Sequence, residues 1–369
     1  MVRLGDLFEF KNGRSFKKTE WKQTGLPIIR IQNLNNEDAP FNYFDDEYDS
    51  SIEVNSGDLL FSWSGTVGSS FGPHIWHREK GVLNQHIFKL TFKREMEKRY
   101  AFYSLLFITA EIERSVVGAV GLVHVTKKSL NEFQIPLPPI PEQQRIVAIL
   151  DQAFAYIEKA RVNAEKNLKN ARELFDSYLN QVFSQRGEGW VEISVGDVLT
   201  LEYGKPLDKS VRKENGLYPA YGANGVKTRS DEYYCETPSI IVGRKGSAGE
   251  LTFTEDKYWP LDVTYFVGFN SSKYDLHFLY YMLVRLNLPS LATGVKPGIN
   301  RNVVYGLRVS VPPLNVQKNV AKKLKNIAYE TSKVEGVYKE KLNSLDQLKK
   351  SLLQQAFSGE LTKIEGHAA

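Results

Sequence analysis

Ile135-Pro-Leu-Pro-Pro-Ile-Pro-Glu-Gln-Gln-Arg-Ile146 and Val309-Ser-Val-Pro-Pro-Leu-Asn-Val-Gln-Lys-Asn-Val320 read alike and lie 174 residues apart. The same offset carries Leu174-Phe-Asp-Ser-Tyr-Leu-Asn-Gln-Val-Phe-Ser184 onto Leu348-Lys-Lys-Ser-Leu-Leu-Gln-Gln-Ala-Phe-Ser358. An offset unchanged across that span means two segments of equal length with no internal gap, so the chain is an internal repeat. Beyond Pro139 and Pro141, residues 142–185 contain neither Pro nor Gly and are rich in Ala, Glu, Lys, Gln and Leu, which predicts one long helix. Leu150, Ile157, Ala164, Ala171 and Tyr178 recur every seven residues, with Ile146, Ala153, Ala160 and Leu174 on the neighbouring row. In the second copy Leu324, Thr331, Tyr338, Leu345 and Leu352 take the equivalent places, flanked by Ile327, Val334 and Leu348. A sustained seven-residue apolar repeat is a coiled-coil seam. Small residues of the first copy are expected to face larger ones of the second, with the two helices packed on each other.

The regions ahead of each helix resemble one another more weakly. Leu4-Gly-Asp-Leu7 and Val195-Gly-Asp-Val198 open them, followed by the pairs Gly13-Arg14 and Gly204-Lys205. Asp58-Leu-Leu-Phe-Ser-Trp-Ser-Gly-Thr-Val-Gly68 and Ser239-Ile-Ile-Val-Gly-Arg-Lys-Gly-Ser-Ala-Gly249 share an apolar run that ends in small residues. Val, Ile, Tyr, Phe and Thr gather in short runs broken by Gly, Asn, Asp and Pro, a strand-and-turn pattern; residues 100–115 and 275–288 read as helical. Each region is therefore mixed and mostly β. A length of 369 residues, 42% hydrophobic and 25% charged, suits two or three folded domains and excludes wholesale disorder. Ala101–Ala110, the longest nearly apolar stretch, is about half a bilayer span. No secretory signal is read at the amino terminus, and the single Cys235 excludes an internal disulfide framework. These features predict a cytoplasmic protein with no membrane partner.

Catalytic parts are hard to assemble. Gly243-Arg-Lys-Gly-Ser-Ala-Gly249 lacks the spacing of a phosphate loop, and neither Gly65-Thr-Val-Gly68 nor Gly222-Ala-Asn-Gly225 is a dinucleotide fingerprint. Leu and Val stand before the paired prolines, where a base-amine methyltransferase would need Asn or Asp as acceptor. Glu9-Phe-Lys11 and Glu255-Asp-Lys257 follow no Pro-Asp at nuclease spacing. His74 and His77, with His86 nearby, have no carboxylate or thiol to complete a metal site. Cys235 sits beside Tyr233 and Tyr234 with no placed base. No catalytic residue, metal or cofactor is assigned to this chain.

Clusters suited to nucleic acid are better represented. The net charge of +5 is concentrated beyond residue 312, so any basic surface elsewhere comes from local grouping. Arg14, Lys17, Lys18 and Lys22 gather around Ser15 and Trp21. In Ile28-Ile-Arg-Ile-Gln-Asn33, strand alternation would set Arg30 and Gln32 on one face, with Asn33 beside them. In the second region Lys205, Lys209, Arg212, Lys213, Lys227, Arg229, Arg244 and Lys245 come close together in sequence. Lys296, Asn300 and Arg301 follow in and after the Gly294-Val-Lys-Pro-Gly298 loop, with Asn300 and Arg301 opposite Thr126 and Lys127 of the first half. Arg and Lys neutralise phosphates, while Arg, Asn and Gln read base edges by paired hydrogen bonds. The acidic run Asp45-Asp-Glu-Tyr-Asp49 is expected on another surface or at a partner contact.

The order domain, helix, domain, helix has a mechanical implication. A helix of about 44 residues is ~65 Å long, and an antiparallel second helix would return the chain to the first domain. The result is a pseudo-two-fold molecule with two different reading heads, suited to an asymmetric bipartite target on double-stranded DNA.

Essentially the full length resembles the specificity subunit of type I restriction–modification systems. The Gly-Asp openings, the Pro-Pro-x-x-x-Gln segments with their helices and the closing Leu353-Gln-Gln-Ala-Phe-Ser-Gly-Glu-Leu361 carry the resemblance. Asn315-Val316 stands where the first copy has Pro-Glu. The resemblance implies an α+β fold of two target-recognition domains, residues 1–137 and 187–311. They are joined by spacer helices in residues 138–186 and 312–362, with a tail over 363–369. It also implies that this chain does not catalyse. Two methylation subunits using S-adenosylmethionine dock on it, and restriction/translocase subunits requiring ATP and Mg2+ join them. Leu150, Ile157, Ala164, Ala171, Tyr178, Leu324, Ile327, Tyr338, Leu345 and Leu352 would hold the spacer together. Three rival readings are a standalone two-headed regulator, a nuclease or methyltransferase in its own right, and a coiled-coil adaptor.

Overall fold

The computed structural model describes residues 1–65, 70–115, 123–184 and 188–363. The Gly65–Gly68 turn beyond Gly65, the 186/187 boundary and all but the first residue of the 363–369 tail lie outside the described residues. The chain forms two compact units, Met1–Asn163 with Lys341–Ala369, and Ala164–Glu340.

In the first unit, Val2–Arg3 pairs antiparallel with Gln134–Ile135, bringing entry and exit of the globular part side by side. A helical turn, Leu4–Leu7, leads into a four-stranded antiparallel sheet ordered Phe8–Asn12, Ile87–Phe92, Leu59–Ser62, Gly72–Ile75. Period-2 alternation buries Phe8 and Phe10 and exposes Glu9 and Lys11. A second sheet runs Asn42–Phe44, Leu26–Ile29, Gly81–Leu83, Glu53–Val54, with Leu26–Ile29 and Gly81–Leu83 parallel.

The second unit repeats this order. Val191–Ser194 pairs with Arg308–Val311, and the turn Val195–Val198 leads into Leu199–Tyr203, Thr264–Phe269, Ser239–Gly243 and Leu251–Thr254. Its other sheet, Arg212–Lys213, Gly225–Ser230, Tyr218–Gly222, Trp259–Pro260, again contains one parallel pair, Ala220 with Trp259. Helices Lys98–Ser115 and Leu276–Arg285 take equivalent places.

Why the Gly-basic pairs recur is now physical. A Cβ at Gly13 would lie 2.1 Å from the Asn84 carbonyl oxygen, and one at Gly204 2.1 Å from that of Leu261. Each glycine lets the chain leave its strand against the neighbouring backbone, where Arg14 N–H donates to Leu83 O and Lys205 N–H to Pro260 O.

The long helices are Ile140–Ser184 and Leu314–Ser358. The glutamine of the repeated motif explains how each begins. Gln143 is 1% exposed; its Oε1 accepts from Glu97 N–H at 2.9 Å and its Nε2 donates to Pro138 O at 2.8 Å. Gln317, also 1% exposed, accepts from Asp275 N–H and donates to Pro312 O and Lys273 O. Replacing Pro-Glu by Asn315-Val316 therefore leaves the second helix start intact. Just past this clip Ile146, Val147 and Leu150 enter the first unit's core, and Ala321 and Leu324 that of the second. Helix ends complete the same cores: Leu353, Ala356 and Phe357 in the first unit, Leu179, Val182 and Phe183 in the second. Phe357 stacks on Phe107 and meets Tyr100, while Phe183 meets Phe278.

Within each unit the helical segments run antiparallel. Lys349 lies over Phe154 and Arg161 pairs with Asp346 in the first unit; Asn167 bonds Tyr338 and Arg172 pairs with Glu335 in the second. Ile157 and Ala164 are buried; Ala171, Tyr178, Ile327, Tyr338, Leu345 and Leu352 are half-buried. The neighbouring row departs from expectation: Leu174, Val334 and Leu348 are 69%, 39% and 47% exposed. A seven-residue repeat drifts ~20° per heptad on a 3.6-residue helix, so this row is covered at Ile146, Ala153, Ala160 and Ile327 and turns outward at Leu174, Val334 and Leu348.

Candidate nucleic-acid interface

The first basic cluster is built around internal contacts. Arg14 pairs with Glu20 and lies over Phe16 and Phe44 at 4.7 and 4.8 Å, so its charge is absorbed locally. Lys17 and Lys18, at the turn Lys18–Glu20, remain exposed. The strand expected through Arg30 and Gln32 ends at Ile29, and Ile31–Asn35 is helical. Local hydrogen bonding is the reason. Asn33 Oδ1 accepts from Arg30 N–H, and its Nδ2 donates to the carbonyls of Ala39 and Pro40. Asn33, 3% exposed, therefore closes the 30–40 loop and does not face outward. Arg30 donates to Asn42 Oδ1 and lies over Trp21, while exposed Gln32 reaches Pro40 O.

The second unit presents more open cations. Lys205 Nζ sits 4.4 Å from the Tyr234 ring centroid, and Trp259 Nε1 donates to Lys205 O. Lys227 is exposed with its stem along Gly222. Arg229 is occupied by the Gly216 and Leu217 carbonyls, which makes it part of its hairpin's frame.

Two loops then meet. Arg244 and Lys245 follow the strand Ser239–Gly243, and Lys245 forms a bridge with Gly298, the end of the Lys296 loop. Gly246 N–H donates to Pro297 O, and Ile299 N–H to Arg244 O. Asn300 caps the turn Arg301–Tyr305 by accepting from Asn302 N–H, as Thr126 caps Lys127–Glu132 by accepting from Ser129 N–H. Arg244 and Arg301 converge on the exposed ring of Tyr203, at 5.5 and 4.9 Å from its centroid. Burial pushes the neighbouring Tyr265 hydroxyl up, and the two guanidinium groups oppose that shift.

Sequence reading missed Tyr203 and its counterpart. Counted from the Gly-Asp openings, Asn12 stands where Tyr203 does; counted along the apolar runs from Asp58 and Ser239, Trp63 stands where Arg244 does. Trp63 Nε1 donates to Asn12 Oδ1, and its ring stacks on Phe88 beside His86, a non-glycine residue with φ of 73°. The registers of the two openings and of the two apolar runs were the available signal.

The remaining candidates are accounted for by structure. Burial pushes the Cys235 thiol up, away from a nucleophilic thiolate. His74 is held neutral by burial, its pKa lowered to about 4. Among the described residues no three His, Cys, Asp or Glu side chains gather as a metal site, and no helix is long and apolar enough to cross a membrane. Asp49 of the acidic run bonds Ser51 and faces Lys11.

Two like-built α+β units, each carrying exposed cations and each closed by the long helices, have the build of a two-domain specificity protein. The family model for the type I restriction modification DNA specificity domain matches residues 1–166 and again 187–344. The chain belongs to this family: it is a non-catalytic specificity subunit of the type I restriction–modification kind. It is 26% identical to the type I restriction enzyme MjaVIII specificity subunit of Methanocaldococcus jannaschii, over 98% of this chain and 92% of that protein. With the EcoprrI specificity subunit of Escherichia coli it shares 23% identity, over 86% and 84%. In fold it is similar to a chain from a structure of type I restriction–modification complex assembly and conformational transition. The TM-score there is 0.78 at 19% identity, covering 98% of this chain and 97% of the other. The HsdS subunit from Thermoanaerobacter tengcongensis gives 0.53 at 19% identity, covering 98% and 96%.

Proposed function

We propose that each unit reads one half of an asymmetric, gapped site on double-stranded DNA. The helices fix the gap and dock two methylation subunits, to which restriction/translocase subunits attach. In this reading S-adenosylmethionine, ATP and Mg2+ serve the partner subunits, and the assembly works in the cytoplasm. The observation that carries it is one frame built twice with different outward side chains. Two identical surfaces would read a symmetric site, whereas exposed Lys17, Lys18 and Gln32 in the first unit and Lys205, Lys227 and Lys245 in the second present different chemistry.

Lys17, Lys18, Gln32, Lys205, Lys227, Lys245 and Lys296 are exposed contact candidates; Arg244 and Arg301 join them, half-buried. Arg14, Arg30, Asn33, Arg229 and Asn300 act by shaping the loops that carry them, given their internal bonds. Docking is supported by a groove of about 500 Å³ in the second unit, where Ala171, Leu174, Ile327, Val334 and Tyr338 leave apolar surface between antiparallel helices.

Co-expression with a methylation subunit, followed by sequencing of modified adenines on plasmid DNA, tests the reading. One gapped, asymmetric motif is expected, and exchanging residues 1–137 for those of a relative changes only one half of it. Change in both halves, or a symmetric motif, overturns the division of labour.

A further inference from the structure

The geometry points to Tyr203, Arg244 and Arg301 as a clamp for one phosphate of the DNA backbone, positioning the second unit without reading sequence. The inference rests on the DNA-specificity reading above and assigns one subsite within it. Two guanidinium groups are held against a single tyrosine ring, at 5.5 and 4.9 Å. Two cations held against one ring repel each other, and an anion beside both relieves that repulsion. Among the described residues no carboxylate pairs with either one.

The arrangement is built rather than incidental. Arg244 Nε and Nη2 both donate to Asp262 O, and Arg301 Nη1 reaches Leu201 O at 3.4 Å. Arg244 is also fixed through its backbone, donating to Val263 O and accepting from Ile299 N–H. Those bonds use only part of ten N–H donors, and the remainder suit the oxygens of a phosphate, which arginine forks bind bidentately. Glu202, the adjacent acid, alternates to the other side of the strand. A base edge is the less suitable occupant, because neighbouring guanidinium groups offer donors alone, while most base edges mix donors with acceptors. At the matching place in the first unit Trp63 Nε1 donates to Asn12 Oδ1.

The test uses the full chain in complex with its methylation subunits. Two duplexes of equal length are compared, one carrying the motif found by adenine-methylation sequencing and one scrambled. The double variant R244Q/R301Q is expected to weaken both by the same factor, roughly tenfold. It also makes the dependence of log affinity on log salt shallower by about 1. R244K/R301K keeps the charges without the forks, retains the wild-type salt slope and loses less affinity. Independently of any variant's folding, neutral methylphosphonate linkages placed singly along the second unit's half-site should weaken the wild type at one linkage. Loss confined to the motif duplex, with a relaxed motif, overturns the clamp in favour of base reading. Unchanged affinity and slope, or indifference to every neutral linkage, also overturns it. If the wild-type complex shows no motif and no salt-dependent binding, the parent reading fails first and takes the clamp with it.

Discussion

Where the first unit sets Trp63 against Asn12, the second sets Arg244 against Tyr203; where the first closes its helix with Gln143, the second closes its own with Gln317. The two pairs of positions have diverged to different extents, and the reason lies in what each side chain touches. Gln143, Gln317 and the caps Thr126 and Asn300 bond main-chain groups, whose positions the fold sets. At the two glutamines a substitution strands a buried donor or acceptor. Gly13 and Gly204 are bound as tightly, since any side chain would strike a carbonyl. Trp63 with Asn12, and Tyr203 with the two guanidinium groups over it, meet side chains at the surface, where partner and residue can change together. A frame held by backbone-directed contacts thus leaves the recognition surface free to vary.

The sharpest way to break this comparison is at the helix ends. Phe357→Ala and Phe183→Ala each empty an aromatic site in a core, and each should cost about 3–5 kcal/mol. Hydrogen exchange should show Phe357→Ala loosening the first unit and Phe183→Ala the second. Equal loosening of both units by either variant would mean that the cores are not separate.

A smaller effect is expected at the clips. Gln317→Leu removes three hydrogen bonds and Gln143→Leu two. Denaturant unfolding should register about 2 kcal/mol for the former and less for the latter. If neither variant is destabilised, the recurrence of glutamine needs an explanation other than structure.

The weakest difference is pH-dependent. His74 occupies the place that Thr252 takes in the second unit. Burial lowers its folded pKa from 6.5 to about 4, so between these values the unfolded chain binds a proton that the folded chain refuses. Stability from this residue is therefore complete above pH 6.5 and falls as pH drops towards 4. Thermal melts of His74→Thr should lose that part of the acid slope; an unchanged slope would place its origin elsewhere.

Much of this was legible in the sequence because it is periodic or repeated. The 174-residue offset located both long helices, and the Gly-basic pairs marked equivalent turns before the close carbonyl contacts were known. Arg30 to Asn33 was misread because alternation describes a strand only while no nearby side chain offers the backbone another partner, and Asn33 does. The exposure of Leu174 escaped because a heptad pattern names a row and not how far along it a pair of helices keeps that row covered. Tyr203 was missed because an aromatic residue at a strand end carries no sign of the charges that fold onto it from residues 244 and 301.

Phe357 also bears on how the protein is made. The first unit's core contains Tyr100 and Phe107 from early in the chain, yet their stacking partner comes from near its end. About 220 residues separate the last strand of that globular part from Phe357. At roughly 5–20 residues per second the ribosome needs tens of seconds to cover that interval. During that time the nascent chain holds an unfinished apolar surface, a substrate for chaperones until Phe357 has been made.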